Sequence, residues 1–476
     1  MRLSSSLFPT LLAGCVAACT TATTPRGGGL LPPAVSEGQE IRSGQRAARE
    51  TARTLGLVAD QALQDYVQQV GTRLAAASER PQLDWTFRVV DDPMPNAFAL
   101  PGGYVFVTRG LLGVVDSEAE LAGVLAHGIG HVNARHGVGA LGRQSSAQLG
   151  VWAVPIPELR SLDAGSDVGA GLLFAAYGPE AESRADNLAF KYMLAAGYDV
   201  REMPDVLTAL GRLDVMGGRS ALPSWVAVHP DPGGRVETAA RRAGDDPTDS
   251  LRQNRAEYLD QIEDLVYGHD PRQGFFRGST FLHPELRFRV DLPSGWRYRN
   301  LAQAVVATSP GREAAIQLSI VEQVGPDEAA ARFVSQRGVE ATGTRATDVV
   351  NGNLTVSVPF RTTGSGSSAE GVASWIRYGG RTYQIVGIAG GQDANGHAGT
   401  FRGTLRSFVG VSDAGVLDLR PNRINIVRLG RSTTFEEFNR RYPSVIDVEE
   451  LALLNRVAGP GSRLRAGGRM KRVVKG

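Results

Sequence analysis

Cysteine is confined to Cys15 and Cys19 in this chain of 476 residues, so everything beyond residue 19 lacks disulfides, thiolate nucleophiles and Cys-ligated metal. Lysine is almost as scarce. Of 51 Lys and Arg together, the three lysines Lys191, Lys471 and Lys475 leave 48 arginines, a skew that reads as codon bias rather than a phosphate-binding signature. Acidic residues number 49, so charge nearly cancels, which excludes a general polyanion binder and gives no ground for a nucleic-acid partner. The apolar stretch around Leu7, Leu11 and Leu12 is too short, and too interrupted by Ser and Pro, to span a bilayer. What remains is ordinary globular material, 42% hydrophobic and 21% charged. At about 100 to 200 residues per domain it makes two to four domains.

The N-terminus carries the cysteine chemistry. Arg2, an apolar stretch and then small residues have the order of an export signal. Leu12-Ala13-Gly14-Cys15 and Val16-Ala17-Ala18-Cys19 each resemble the bacterial lipobox, in which the cysteine is lipidated and becomes the new N-terminus. Cys19 is the expected site, because it leaves the fuller apolar region and precedes the tether-like run Thr20 to Pro25. A plain secretory signal with incidental cysteines is the alternative. Residues 1–18 are thus expected as signal peptide and 19–40, rich in Gly and Pro, as a flexible tether. The implied location is the bacterial outer membrane, facing the periplasm, with membrane contact through the lipid anchor only.

Three folded segments are expected, in a multidomain α+β chain. Residues 41–270 read as helix-dominated with a small sheet, Trp85 to Val90 and Tyr104 to Thr108 being strands. Residues 275–412 change to period-two alternation (Phe288, Val290, Leu292; Ile316, Leu318, Ile320; Leu354, Val356, Val358), with a helix from Pro326 to Gln336, which predicts an antiparallel-sheet domain. Its Leu292-Pro293-Ser294-Gly295-Trp296 and Arg406-Ser407-Phe408 resemble the PsbP/Mog-type fold. Residues 421–476 show a βααβ order and resemble a LysM module, a family that binds peptidoglycan and chitin glycans. The family's Gly-Asp-Thr turn reads Gly430-Arg431-Ser432-Thr433 here. With twelve basic and five acidic residues this segment is expected as a separate basic face.

Chemistry concentrates in the first folded segment. His127 and His131 are four apart in a stretch opened by Ser117 and Glu120, a capping box that fixes a helix start. Residues at i and i+4 share a helical face, so two imidazoles can reach one ion. Gly178-Pro179 opens a second helix that puts Glu182 and Asp186 on one face. Glu182 can supply a third ligand, leaving an open position, and Asp186 can accept the other N–H of a ligand histidine. The plainer alternative is a solvated face paired with Arg184.

The run Asn96-Ala97-Phe98-Ala99-Leu100-Pro101-Gly102-Gly103-Tyr104, then Thr108-Arg109-Gly110-Leu111-Leu112, Glu118 to His127, His131-Val132-Asn133-Ala134-Arg135-His136-Gly137 and Glu182-Ser183-Arg184-Ala185-Asp186 resembles the gluzincin zinc metallopeptidase family of the BepA/LoiP/HtpX type, over about residues 40–245. The resemblance implies one zinc per chain at His127, His131 and Glu182. It implies that Asn96, Ala97, Phe98 and Ala99 offer a strand edge to unfolded or extended envelope polypeptides. It further implies that His229 lies near the metal as a transition-state donor or an inhibitory ligand. A metalloendopeptidase acting on misfolded or assembling envelope proteins is expected, with peptidoglycan as a second partner through residues 421–476.

One position departs. The family has Glu directly after the first histidine, and this chain reads His127-Gly128-Ile129-Gly130-His131. That glutamate is the general base, whose removal costs about 10²- to 10⁴-fold. Glycine is not there for helix stability, being about 1 kcal/mol worse than alanine. Three readings stay open: a pseudoprotease acting as chaperone or assembly factor, an inactivated or misread version of an active protease, and an enzyme with another base. Glu120, two turns back and about 10 Å along the axis, is a poor candidate for that base. Gly128→Glu is expected to rebuild the motif without disturbing the fold.

Overall fold

The Ser36 hydroxyl accepts a hydrogen bond from the Gln39 backbone amide and the Gln39 side-chain oxygen accepts one from the Ser36 backbone amide, a capping box that starts helix α1 at Glu37–Leu55. The tether expected over 19–40 therefore ends early, because Ser36-x-x-Gln39 is a helix signal inside it. The computed structural model describes residues 35–137, 177–214, 225, 229–230, 232–244, 251–321, 324–362, 369–390 and 394–476. The signal at 1–18, Cys19 and most of the tether lie outside the described residues. Among the described residues no helix is long and apolar enough to cross a membrane.

Helix α2 (Gln61–Ala75) leads into a three-stranded sheet of β1 (Thr86–Val90), β2 (Ala97–Leu100) and β3 (Tyr104–Thr108), in the order β1-β3-β2. β1 runs parallel to β3 and β2 antiparallel, so among the described residues β1 and β2 are the two outer strands of this sheet. The short α3 (Arg109–Val114) turns the chain into α4 (Glu118–Asn133). Every residue of α4 from Glu118 to Val132 is buried. It is a core helix walled by α2, the sheet, α5 (Pro179–Ala195) and α6 (Glu202–Asp214). Helices α7 (Pro232–Ala243) and α8 (Arg255–Gln261) and strand β4 (Val266–Tyr267) complete this part.

The middle segment is the expected antiparallel sheet. Its central strands are β5 (Ala314–Val321), β6 (Asn353–Thr362), β7 (Ala369–Tyr378) and β8 (Arg381–Gly390), in the order β6-β7-β8-β5. Alternation sends Trp375, Val386 and Val356 to one core, closed by Phe333 of α9 (Pro326–Val334). Ile376, Ile385 and Ile316 go to the other, closed by Phe401 of α10 (Ala394–Ser407) and by Phe408.

The C-terminal βααβ order is also present: β9 (Asn422–Arg428), α11 (Phe435–Arg441), α12 (Val448–Leu454) and β10 (Arg469–Lys475), with Thr433–Thr434 pairing Arg463–Leu464. The separate basic face is where structure and sequence expectation part. β9 pairs with β4 on its second edge, and Ile424, Leu454 and Val473 are buried in the same core as α4. An exposed strand edge is a liability, and β4 covers this one. Ser36–Gly476 is accordingly one compact unit.

Candidate metal centre

Ser117 caps α4 by accepting from the Glu120 amide at 3.0 Å. The return bond of the expected capping box goes one residue earlier, from the Asp116 amide to Glu120 Oε2 at 2.8 Å. From that fixed start, helical spacing delivers His127 and His131 side by side, with their Nε2 atoms 2.9 Å apart. Helix α5 crosses α4 where Gly130 has no side chain: a β-carbon there would lie 2.8 Å from the Ala185 carbonyl oxygen. That close approach carries Glu182 in, with Oε2 3.5 Å from His127 Nε2 and Oε1 3.4 Å from His131 Nε2.

His229 joins them. Its Nδ1 is 3.0 Å from Glu182 Oε1 and 3.3 Å from His127 Nε2. The four potential ligand atoms of His127, His131, Glu182 and His229 lie within 4.8 Å of one another, all on buried residues. The donor set suits a divalent metal with imidazole and carboxylate preferences. Protonation fits too. Burial drives the His131 and His229 imidazoles below their usual pKa and so keeps them neutral. Burial alone would raise the Glu182 carboxyl, but hydrogen bonds from His131 and His229 outweigh it and hold Glu182 far below the usual carboxylate range. Neutral imidazole and ionised carboxylate are the ligating forms.

Around the four stands a supporting layer. Asp186 accepts from His127 Nδ1 at 2.8 Å, which fixes Nε2 as the free nitrogen. Behind His131, the Nδ1 atom of His136 lies 2.9 Å from that of His131. Arg235 of α7 ion-pairs with both carboxylates, 2.8 Å from Glu182 Oε2 and 2.7 Å from Asp186 Oδ2. Asp186 is held well below its usual pKa although burial works the other way, because Arg235 and His127 hydrogen-bond to it. The alternative partner Arg184 does not take this place. Arg235, Trp225 and Tyr177 escaped the sequence reading. Trp225 stacks on the His229 ring at 4.0 Å and Tyr177 on His131 at 4.1 Å. Arg235 stands six positions after His229, a spacing without helical meaning on its own, and only the buried carboxylates that need a cation would have pointed to it.

Asn96, Ala97, Phe98 and Ala99 fall where expected, at the edge strand β2 and its entry. A β-carbon at Gly128 would lie 3.8 Å from Ala99 Cβ, so the edge strand runs beside the vacant position. The same β-carbon would come 3.0 Å from Val105 Cγ1. This corrects the expectation that a side chain at 128 leaves the fold undisturbed: Val105 has to yield by a few tenths of an ångström. Glu120 is no substitute base. It is buried in a fork with Arg456, at 2.6 and 3.0 Å.

Comparison with known proteins bears on the same segment. The beta-barrel assembly-enhancing protease of Yersinia pestis is 30% identical over 215 residues, 43% of this chain and 44% of that protein. Its Escherichia coli (strain K12) counterpart is 28% identical over 219 residues, 44% and 45%. The mitochondrial metalloendopeptidase OMA1 of Arabidopsis thaliana is 33% identical over 159 residues, 33% and 31%. The chain thus spans less than half the length of these relatives. Among solved structures, cyanobacterial PsbP from Synechocystis sp. PCC 6803 aligns with 29% of this chain and 95% of its own, at 14% identity and a TM-score of 0.25, too low to carry an argument. The match that covers the site is to a family: residues 61–243, which hold all four grouped side chains and their supporting layer, match Peptidase family M48.

Proposed function

We propose that this chain is a zinc metalloendopeptidase of the bacterial envelope by lineage and architecture, built to receive misfolded or assembling envelope polypeptides, with its general base missing at Gly128. The observation that carries the reading is the buried convergence of His127, His131 and Glu182 beside an edge strand. Zinc held there supplies a Lewis acid that polarises a peptide carbonyl and acidifies water. The chain does the rest. An extended substrate adds to β2 by main-chain hydrogen bonds. Asp186 fixes the His127 tautomer, and Arg235 holds Asp186 ionised while it ion-pairs with Glu182. His229 lies in the position that a substrate would need, so it must withdraw for access and can then serve as a donor. At 128 no side chain is present to take up or return a proton.

A second reading follows from that vacancy: a zinc-containing pseudoprotease that holds extended segments as a chaperone or assembly factor. Glu120, Asp186 and Glu182 are each engaged by an arginine, so none stands free to replace the base. Outer-membrane attachment through Cys19, and glycan contact by residues 421–476, belong to both readings. Metal-dependent cleavage of casein by the purified mature protein decides between them. Hydrolysis abolished by chelator and by His131→Ala supports the enzyme; zinc binding with no hydrolysis supports the holding role. Mass spectrometry of the mature N-terminus tests Cys19, a lipidated Cys15 being the contrary result.

A further inference from the structure

The C-terminal segment spends its most deeply buried charges on one place, the junction between α3 and α4. Arg456, just past α12, forks onto Glu120, with Nε donating to Oε1 at 3.0 Å and a terminal nitrogen to Oε2 at 2.6 Å. Glu120 is the residue that closes the start of α4, through Ser117 and Asp116. Lys471, in the middle of β10 and fully buried, donates to the carbonyls of Gly113, Val114 and Val115 at 3.2, 3.3 and 2.7 Å. Its ammonium also lies 3.4 Å from Asp116. Arg255 ties the same knot from α8, bonding Asp116 Oδ2 at 2.7 Å and the Arg469 carbonyl at 2.9 Å.

These contacts fix both sides of the three-residue link Val115 to Ser117. Lys471 places a cation on the carbonyls that end α3, where a helix favours one. Arg456 holds the carboxylate that starts α4. An α-helix is stiff, so any rotation permitted at Glu120 is passed on to His127 and His131, about two and three turns along. A buried arginine fork is also geometrically selective, because two parallel bonds admit one orientation of the carboxylate. Of the other arginines on residues 421–476, Arg428, Arg431, Arg463 and Arg465 are exposed, and Arg423, Arg469 and Arg472 make half-buried contacts with Asp264, Asp260 and Asn425. Arg456 and Lys471 are the two that reach the carboxylates and carbonyls at the start of α4.

We infer that residues 421–476 act as a clamp that sets the rotational position of the metal-bearing helix, with Arg456 and Lys471 as positioning residues. The clamp belongs to the peptidase fold itself, whatever the outer face of the segment binds. The inference rests on the metal-centre reading of α4, and its test separates the two.

Full-length mature protein, with Arg456→Lys, the pair Glu120→Gln/Arg456→Met and the exposed Arg431→Met, is compared by zinc affinity in chelator competition and by amide hydrogen exchange of residues 118–133 without metal. Arg456→Lys keeps the charge and loses the fork. The double variant leaves no ion unpaired. Both are expected to exchange the first turns of α4 faster, by about 10-fold or more, and to bind zinc on the order of 10-fold more weakly, the lower end of what supporting partners contribute. Arg431→Met is expected to change neither. Folded Arg456→Lys protein with unaltered exchange and zinc affinity overturns the clamp, and this variant decides the matter even where the double variant does not fold. Absence of zinc binding in the unaltered protein defeats the metal-centre reading, while the metal-free exchange comparison still judges the clamp.

Discussion

Replacing Gly128 by Glu tests the missing base directly, and the structure puts figures on both sides of the exchange. The new β-carbon meets Val105 Cγ1 at 3.0 Å, with Val105 buried between α4 and the sheet. Crowding of this kind costs about 1 to 3 kcal/mol. Removing a glycine from a helix interior returns about 0.5 kcal/mol. A net loss of about 0.5 to 2.5 kcal/mol is expected, which a chain of this size tolerates with a melting temperature a few degrees lower. Gly128→Ala supplies the control, because it brings the same β-carbon contact and no carboxylate. The ratio of the two variants in zinc-dependent casein cleavage therefore isolates the base, and it should reach about 10²- to 10⁴-fold. Chelator and a superimposed His131→Ala should each abolish it. If Gly128→Glu is folded and zinc-loaded yet cleaves no faster than Gly128→Ala, the cleft has lost more than its base, and the holding role stands ahead of the protease.

Further outcomes follow from the same contacts. The mature protein should carry about one zinc per chain, and His127→Ala or Glu182→Ala should abolish it by metal analysis; a well-folded, zinc-free parent protein would contradict the site. Arg235→Ala strips both Glu182 and Asp186 of their cation and should weaken zinc about 10- to 100-fold in chelator competition. Burial, with Glu120, Asp205 and Asp199 nearby, raises Glu202 to about 7. Its folded pKa lies above the unfolded value, so stability should fall as pH rises from about 4.5 to 7 and then level. Glu202→Gln should remove that slope, melting higher than the parent at pH 8 but not at pH 4. Gly130→Ala should destabilise by about 1 to 3 kcal/mol in denaturant titration, since its β-carbon meets the Ala185 backbone, which yields less readily than a side chain.

The convergence of His127, His131 and Glu182 was legible because its parts are local: His127 and His131 share a helix face, Pro179 marks the start of α5, and Asp186 lies one turn beyond Glu182. Each inference used the period of a helix and a cap, and the elements formed within a few residues of the expected limits. Arg235 and Trp225 were hidden because their roles exist only after α7 and its preceding residues fold over the ligands; no periodicity marks a residue that answers a charge from another element. The C-terminal segment misled for a related reason. Its strands and helices read correctly, but Lys471 and Arg456 count as surface charge in any tally of composition, and burial reverses their meaning. The segment's attachment depends on a two-residue strand, Val266–Tyr267, too short to carry a pattern.

The crossing of α4 and α5 at Gly130 has a bearing on what a side chain at 128 can alter. Because the two helices meet backbone to backbone, the gap between the histidines and Glu182 is set by main-chain contact rather than by any adjustable side chain. The β-position at 128 faces the sheet rather than α5, so a side chain there presses on Val105 and not on the meeting of the two helices. On the proposed reading the base and the candidate metal ligands lean on different contacts, the first on the space beside Val105 and the second on the meeting of two backbones, so a change at 128 leaves the ligands' support in place.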